Sequence, residues 1–303
     1  MAVRYKRKPW EKFCTFLNYL LIIILCISIL YPFWYILILS FNTGKDALKG
    51  GIYFWPREFT LFNYQMVLST PTVKSAYLVT IARTILGTAL GVIVTACAAY
   101  AMACPTLPGK KFFSYVILIP FVFSGGLIPY YLTLFRLGLI NTFWVFVLPG
   151  LFNIWNMFVM RQFFTEIPES LKEAAIIDGA NEYVTLMRIV LPISLPMLAA
   201  ISLFVAVGHW NSWFDGAFYV SKESLLPLQT YLRRLLDSMS SSMQQNNASD
   251  FLNPSILNME MDMLTSNSLR MASLIVVVLP IMCVYPFLQK YFVKGVRIGA
   301  VKG

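Results

Sequence analysis

Glu173, Ala174, Ala175, Asp178 and Gly179 stand in the stretch EAAIIDGANEYVTLMRIVLP, a polar and small-residue segment set between two long apolar runs. Their chemistry is that of docking. Two alanines followed by a glycine keep one side of a short helix nearly free of side chains, so a second protein can approach the backbone closely while Glu173 offers a carboxylate. Asp178-Gly179 predicts a helix stop, since glycine takes positive φ at little steric cost. Ile189, Leu191 and Pro192 close the segment, and a proline at the start of an apolar run loses a backbone donor that would be unpaired anyway. Glu166, Glu169, Glu173, Asp178 and Glu182 make this loop acidic, which suits a basic groove on a partner.

A second group of candidates surrounds the sole histidine, His209, in GHWNSWFDG. Trp210 and Trp213 could stack on the apolar faces of a sugar while Asn211 and Asp215 bond its hydroxyls. The alternative is an aromatic belt at a membrane interface, where Trp is enriched. One His and one nearby Asp are too few ligands for a metal site. Arg83 lies inside an apolar run, where a charge faces a wet cavity, pairs with an acid or snorkels to the surface. Asn153 and Asn156, in another run, either line a polar path or bond neighbouring helices. No phosphate-cradling Gly-x-x-x-x-Gly-Lys-Ser/Thr sequence occurs; Gly109-Lys110-Lys111 lacks the first glycine and the hydroxyl.

The elements that must position these groups are membrane helices. The chain has 303 residues, 58% hydrophobic and 13% charged, against a globular norm of about 25% charged. Leu17 to Phe41 carries no charge and exceeds the roughly 20 residues needed to cross a bilayer. It is longer than a signal-peptide core and no small-x-small cleavage site follows it, so an uncleaved anchor is expected. Further runs at 77–103, 112–131, 143–160, 191–207 and 271–292 bring the expected spans to six, with the coupling loop at 161–190 and outer loops at 42–75 and 208–270. The expected fold is thus an all-α membrane protein, a single domain over 1–303 built as a polytopic six-helix bundle with a cytoplasmic coupling helix. The net charge of +10 does not indicate nucleic acid, because the basic residues flank apolar runs instead of lining one polar face. Arg4, Lys6, Arg7, Lys8 and Lys12 crowd the first tail and Lys290, Lys294, Arg297 and Lys302 the last, while the three segments of the opposite side, around 42–75, 132–142 and 208–270, share nine Lys and Arg over a much longer total length. The positive-inside rule then puts both termini in the cytoplasm. Five cysteines, odd in number and without a Cys-x-x-Cys pair, give no disulfide framework. Pro227 to Asp237 predicts an amphipathic helix, and the Ser, Gln and Asn-rich run at 238–249 predicts a loose segment.

The spacing Glu-Ala-Ala, three residues, Gly, nine residues, Ile189, one residue, Leu191-Pro192 resembles the coupling loop of permease subunits of binding-protein-dependent ABC importers. GGIYFWPREFTLFNYQMV, LINTFWVFVLPGLFNIWNMFVMRQFF, HWNSWFD and YPFLQKYFVKGVRIGAVKG extend the resemblance over nearly the whole chain. They narrow it to the carbohydrate-uptake, maltose-permease-like class, closest to the subgroup for larger oligosaccharides. The resemblance implies a second homologous permease subunit in a heterodimer, an ABC ATPase dimer that carries ATP and Mg, and an extracellular or periplasmic solute-binding protein. It implies no cofactor and no catalytic residue on this chain, and a place in the cytoplasmic (inner) membrane of a bacterium. A permease for a non-sugar solute is one alternative. An ion-coupled secondary transporter is another, disfavoured by nearly acid-free spans and the lack of a repeat.

Overall fold

The computed structural model describes residues 9–47, 49–245 and 267–283. Two compact units divide the chain: Met1–Ser69 with Ser238–Val276, and Thr70–Asp237 with Val277–Gly303. Among the described residues the structure is helical, apart from turns and one isolated bridge between Asn42 and Phe59.

The first unit opens on α1 (Pro9–Ser40), with Pro32 inside it. Its most apolar 18-residue window has a mean hydropathy of 2.6 and is only 6% buried, the pattern of a helix whose surroundings are lipid or another apolar surface. Beyond it, α2 (Gly44–Ala47) and α3 (Phe62–Ser69) hold a compact polar knot. Asp46, 4% exposed, accepts from Arg57 Nε at 3.0 Å and from Asn42 Nδ2 at 3.1 Å. Asn63 donates to the carbonyls of Ser40 and Asn42, and Ser40 and Tyr64 share a hydroxyl hydrogen bond at 2.6 Å.

The second unit is organised around α4 (Pro71–Ala103), 33 residues without a break. Pro71 starts it, where the missing N–H is tolerated. Ala76, Thr80, Arg83, Gly87, Gly91, Thr95, Ala99 and Ala103 are all buried and form a stripe at helical spacing. All but Arg83 are small, and small residues let neighbouring backbones approach closely. Against α4 pack α7 (Ile154–Thr165) and α11 (Leu195–Asn211).

The third, fourth and fifth expected spans are bent. Residues 112–131 do not form one helix: α5 (Lys110–Val122) and α6 (Leu127–Arg136) meet at 119°. Ser124-Gly125-Gly126 makes the break, with Gly126 at φ +83° and its N–H donating to Ser124 Oγ at 3.3 Å. The fourth expected span comprises two tight turns, Phe143–Phe146 and Leu148–Gly150, followed by α7 at 44°. Thr95 Oγ1 bridges the gap, donating to Leu151 O and accepting from Asn153 N, which meets the requirement that backbone freed inside a bilayer find another partner. The expected start of the fifth span at residue 191 also needs correction. α8 (Glu169–Ile177) and α9 (Glu182–Thr185) lead into a π-helical turn, Leu186–Val190, and α10 (Leu191–Ile193). The segment Glu182–Ile193 then bends by 83° before α11 begins at Leu195, Pro192 and Pro196 removing helical donors on either side of Ser194. After α11 follow α12 (Phe214–Tyr219) and α13 (Leu228–Gln245). α13 keeps residues 238–245 helical where the sequence suggested a loose run. α14 (Asn267–Cys283) covers the beginning of the sixth expected span. The rest of that span, the last basic tail, the first tail up to Lys8 and residues 246–249 of the loose run lie outside the described residues.

Candidate functional site

The segment singled out first is built by α8 and its stop. Gly179 has φ +79°. Its N–H reaches Ile176 O at 2.9 Å, and Ala180 N–H reaches Ala175 O at 2.9 Å, the paired bonds of a Schellman cap. Asp178 is the C-cap residue and is exposed. Glu173 and Ala174 face out, but Ala175 is buried, so the smooth face is narrower than the sequence suggested. In compensation Ile176 and Ile177 are exposed, Ile177 at 85%. Sequence reasoning passed over this apolar tip, although two isoleucines ahead of Asp-Gly in a polar loop were visible. Ile189 lies in the π turn, half-buried; Leu191 and Pro192 lie on α10 and belong to the arm between the two helices.

That arm is fixed to the bundle. Asn181 caps α9, its Oδ1 accepting from Val184 N at 2.9 Å. Glu182 Oε2 accepts from Tyr100 Oη at 2.5 Å. Tyr100, Ala96, Ala99 and Ala103 of α4, Met157, Met160 and Phe164 of α7, and Ile167, Leu186, Val190 and Ile201 form one buried apolar cluster beneath it. Lys172 Nζ donates to Phe164 O at 3.4 Å, tying α8 to the end of α7.

Further toward the N-terminus of α4, inside the helix, Arg83 is 1% exposed. Of the three environments open to it in the sequence, the structure gives the acid pair: Nη2 lies 2.9 Å from Asp215 Oδ2. Nη1 donates to Ser212 O at 3.3 Å, Ser212 Oγ donates to the same Asp215 oxygen at 2.9 Å, and the guanidinium sits 4.7 Å from the centre of the Phe146 ring. His209 rests one turn along α4 against Gly87, where any Cβ would overlap the imidazole. Arg83, His209 and Asp215 are therefore neighbours. The remaining aromatic candidates are not part of this group. Trp210 Nε1 donates to Val277 O at 3.3 Å, Asn211 accepts from Gln229, and Trp213 stacks under the Arg233 guanidinium at 3.7 Å. These are structural contacts at a helix end.

Asn153 caps α7 by accepting from Asn156 N at 2.9 Å. Both asparagines line a void of about 10 Å³ with Gly91, Thr95 and Gly150, room for about one water. A sugar does not fit there in this conformation. Among the described residues no group of His, Cys, Asp and Glu is placed to hold a metal.

No family profile matches the chain. Protein LplC of Bacillus subtilis (strain 168) is 36% identical over 272 residues, covering 90% of this chain and 89% of the relative. The polygalacturonan/rhamnogalacturonan transport system permease protein YtcP of the same organism is 34% identical, covering 90% of this chain and 92% of the relative. Among solved structures, a bacterial ABC transporter involved in the import of the acidic polysaccharide alginate contains a chain similar to this one at TM-score 0.83 and 27% identity. That similarity covers 95% of this chain and 99% of the other. An unbroken central helix, bent neighbours and a capped acidic knob between two of them thus occur in a chain whose full-length relatives are transport permeases. It belongs to the permease subunits of ABC importers, in their carbohydrate-uptake class.

Proposed function

We propose that this chain crosses the cytoplasmic membrane of a bacterium six times, with both termini inside, that it forms one half of a transport pathway, and that it imports oligosaccharides. Its counterpart is a second, homologous permease subunit. An ATPase dimer binds ATP and Mg²⁺ on the cytoplasmic side and grips the knob made by Glu173, Ala174, Asp178 and Gly179. A solute-binding protein delivers the sugar from outside. The observation that carries the docking assignment is the capped helix α8, which presents Glu173 beside the bare, apolar Ile177. A carboxylate next to an exposed isoleucine suits a pocket that is basic at its rim and apolar at its floor.

Acidic fragments are the favoured cargo, since polygalacturonan/rhamnogalacturonan and alginate appear in the descriptions of two similar proteins. Arg83 does not select them, because its charge is committed to Asp215. Selection therefore rests with the external binding protein.

The test uses cells that depend on this chain for uptake of labelled oligogalacturonates, with neutral maltodextrins of equal length as the control. Uptake of the acidic sugar, together with copurification of an ATPase subunit, is expected. Glu173→Arg and Gly179→Val should remove both while leaving the chain in the membrane. Retention of the ATPase and of uptake in both variants overturns the docking assignment.

A further inference from the structure

We infer that Tyr100 is a positioning residue for energy coupling: its hydroxyl, bonded to Glu182, fixes the arm behind the docking knob to α4, and α4 carries the arm's displacement to the Arg83–Asp215 pair at the outer end. This rests on the docking reading above and goes beyond it, because neither Tyr100 nor Glu182 is one of the knob residues Glu173, Ala174, Asp178 and Gly179.

The mechanical logic comes from which helices are whole. Displacement travels end to end only through an element that does not flex, and the third, fourth and fifth expected spans are bent by 119°, 44° and 83°. α4 runs unbroken through 33 residues. From Tyr100 to Arg83 it spans about 25 Å at the usual rise per residue, most of a hydrocarbon core. The apolar cluster around Tyr100 holds arm and helix together, but apolar surfaces slide past one another with little directional preference. A charge-assisted O–H···O⁻ bond has a fixed length and direction. It therefore sets the register in which the arm pushes. Tyr100 is held for this task, 8% exposed with its ring edge-on to the fully buried Phe164. Asn181, capping α9 one residue before Glu182, fixes where the carboxylate emerges.

At the far end the linkage has something to move. Arg83 contacts α12 through Asp215 and the preceding loop through Ser212 O, so a shift of α4 along its axis strains the ion pair and loosens the outer packing. Val220, 3% exposed, belongs to the cluster with Phe146, Tyr219 and Leu226 at that end and reports such loosening.

The experiment uses the assembled permease–ATPase complex in proteoliposomes, with the five native cysteines replaced and Val220→Cys introduced. Labelling by a membrane-impermeant maleimide is followed with and without ATP plus vanadate, so no sugar is needed. In the parent complex nucleotide should speed labelling about tenfold, the scale of a typical coupling between distant sites. Tyr100→Phe, which loses only the hydroxyl, and Glu182→Ala should each retain the copurified ATPase and lose most of this acceleration. Glu182→Gln, which still accepts a hydrogen bond, should keep most of it. A role confined to folding would instead alter yield and melting temperature in Tyr100→Phe and leave the nucleotide response intact. Full acceleration in Tyr100→Phe overturns the inference while the docking reading stands. A parent complex that binds no ATPase overturns both.

Discussion

Arg83 shows how a single side chain can look like a binding group and serve the scaffold. Its charge is shielded from solvent and answered by one carboxylate, one carbonyl and the face of Phe146. Removing one member of a fully buried pair costs about 3–5 kcal/mol, because the other charge is left unanswered. Asp215 is 32% exposed, so solvent screening should hold Arg83→Ala nearer about 2–3 kcal/mol. The double variant Arg83→Met with Asp215→Leu should be less destabilised than Arg83→Ala alone. Thermal unfolding of the purified complex in nanodiscs checks both, and additive single-variant losses would show that the pair does not interact. The sequence supplied the menu of environments for Arg83, but its partner lies 132 positions away and only folding brings the two together. Tyr100 was less visible still, one aromatic among apolar neighbours, with nothing local to mark the hydroxyl as bonded.

Helices and loops divide along the same line. The stop at Asp178-Gly179 was legible because a positive φ at glycine and the cap hydrogen bonds are local events. The break at Ser124-Gly125-Gly126 was not, since glycine and proline recur throughout the apolar runs and Pro32 leaves α1 intact. What separates a broken run from a whole one is whether a neighbour answers the freed backbone, as Thr95 does for Leu151 and Asn153, and that neighbour comes from another helix. In the first outer loop, Asp46 provides a test by titration. Burial alone would raise its pKa, but the hydrogen bond from Asn42 and the charges of Arg57 and Lys49 outweigh burial and hold it below the ordinary carboxylate range. A lowered pKa contributes stability that is present above the unfolded-state value and is lost as pH falls through the folded one. The loop should therefore resist proteolysis at neutral pH and open in acid below the normal Asp range. Asp46→Asn should already be cut faster at pH 7, and an acid-insensitive cleavage rate in the parent chain would contradict the assignment.

Over the whole chain, hydropathy marks where apolar runs lie, because crossing a bilayer requires apolar length and length is written in sequence. It said little about their shape. Two described helices are long and apolar enough to cross a bilayer, and at most five crossings result if each bent pair counts as one. The sixth in the proposed topology rests on the apolar run that begins in α14. Resemblance over nearly the full length supplied the family, and the proposed assembly rests on it, since the proposed partners are separate chains.

Ile177, almost fully uncovered at the end of α8, has one more consequence. In the proposed topology, a subunit made in excess over its ATPase would display a greasy fingertip to the cytosol, a mark by which quality-control proteases recognise orphans. Pulse-chase should find the unaccompanied chain short-lived, its survival prolonged by Ile177→Ser and by co-expressed ATPase. An equal half-life in all three cases would mean that the cell does not tally its transporters by touch.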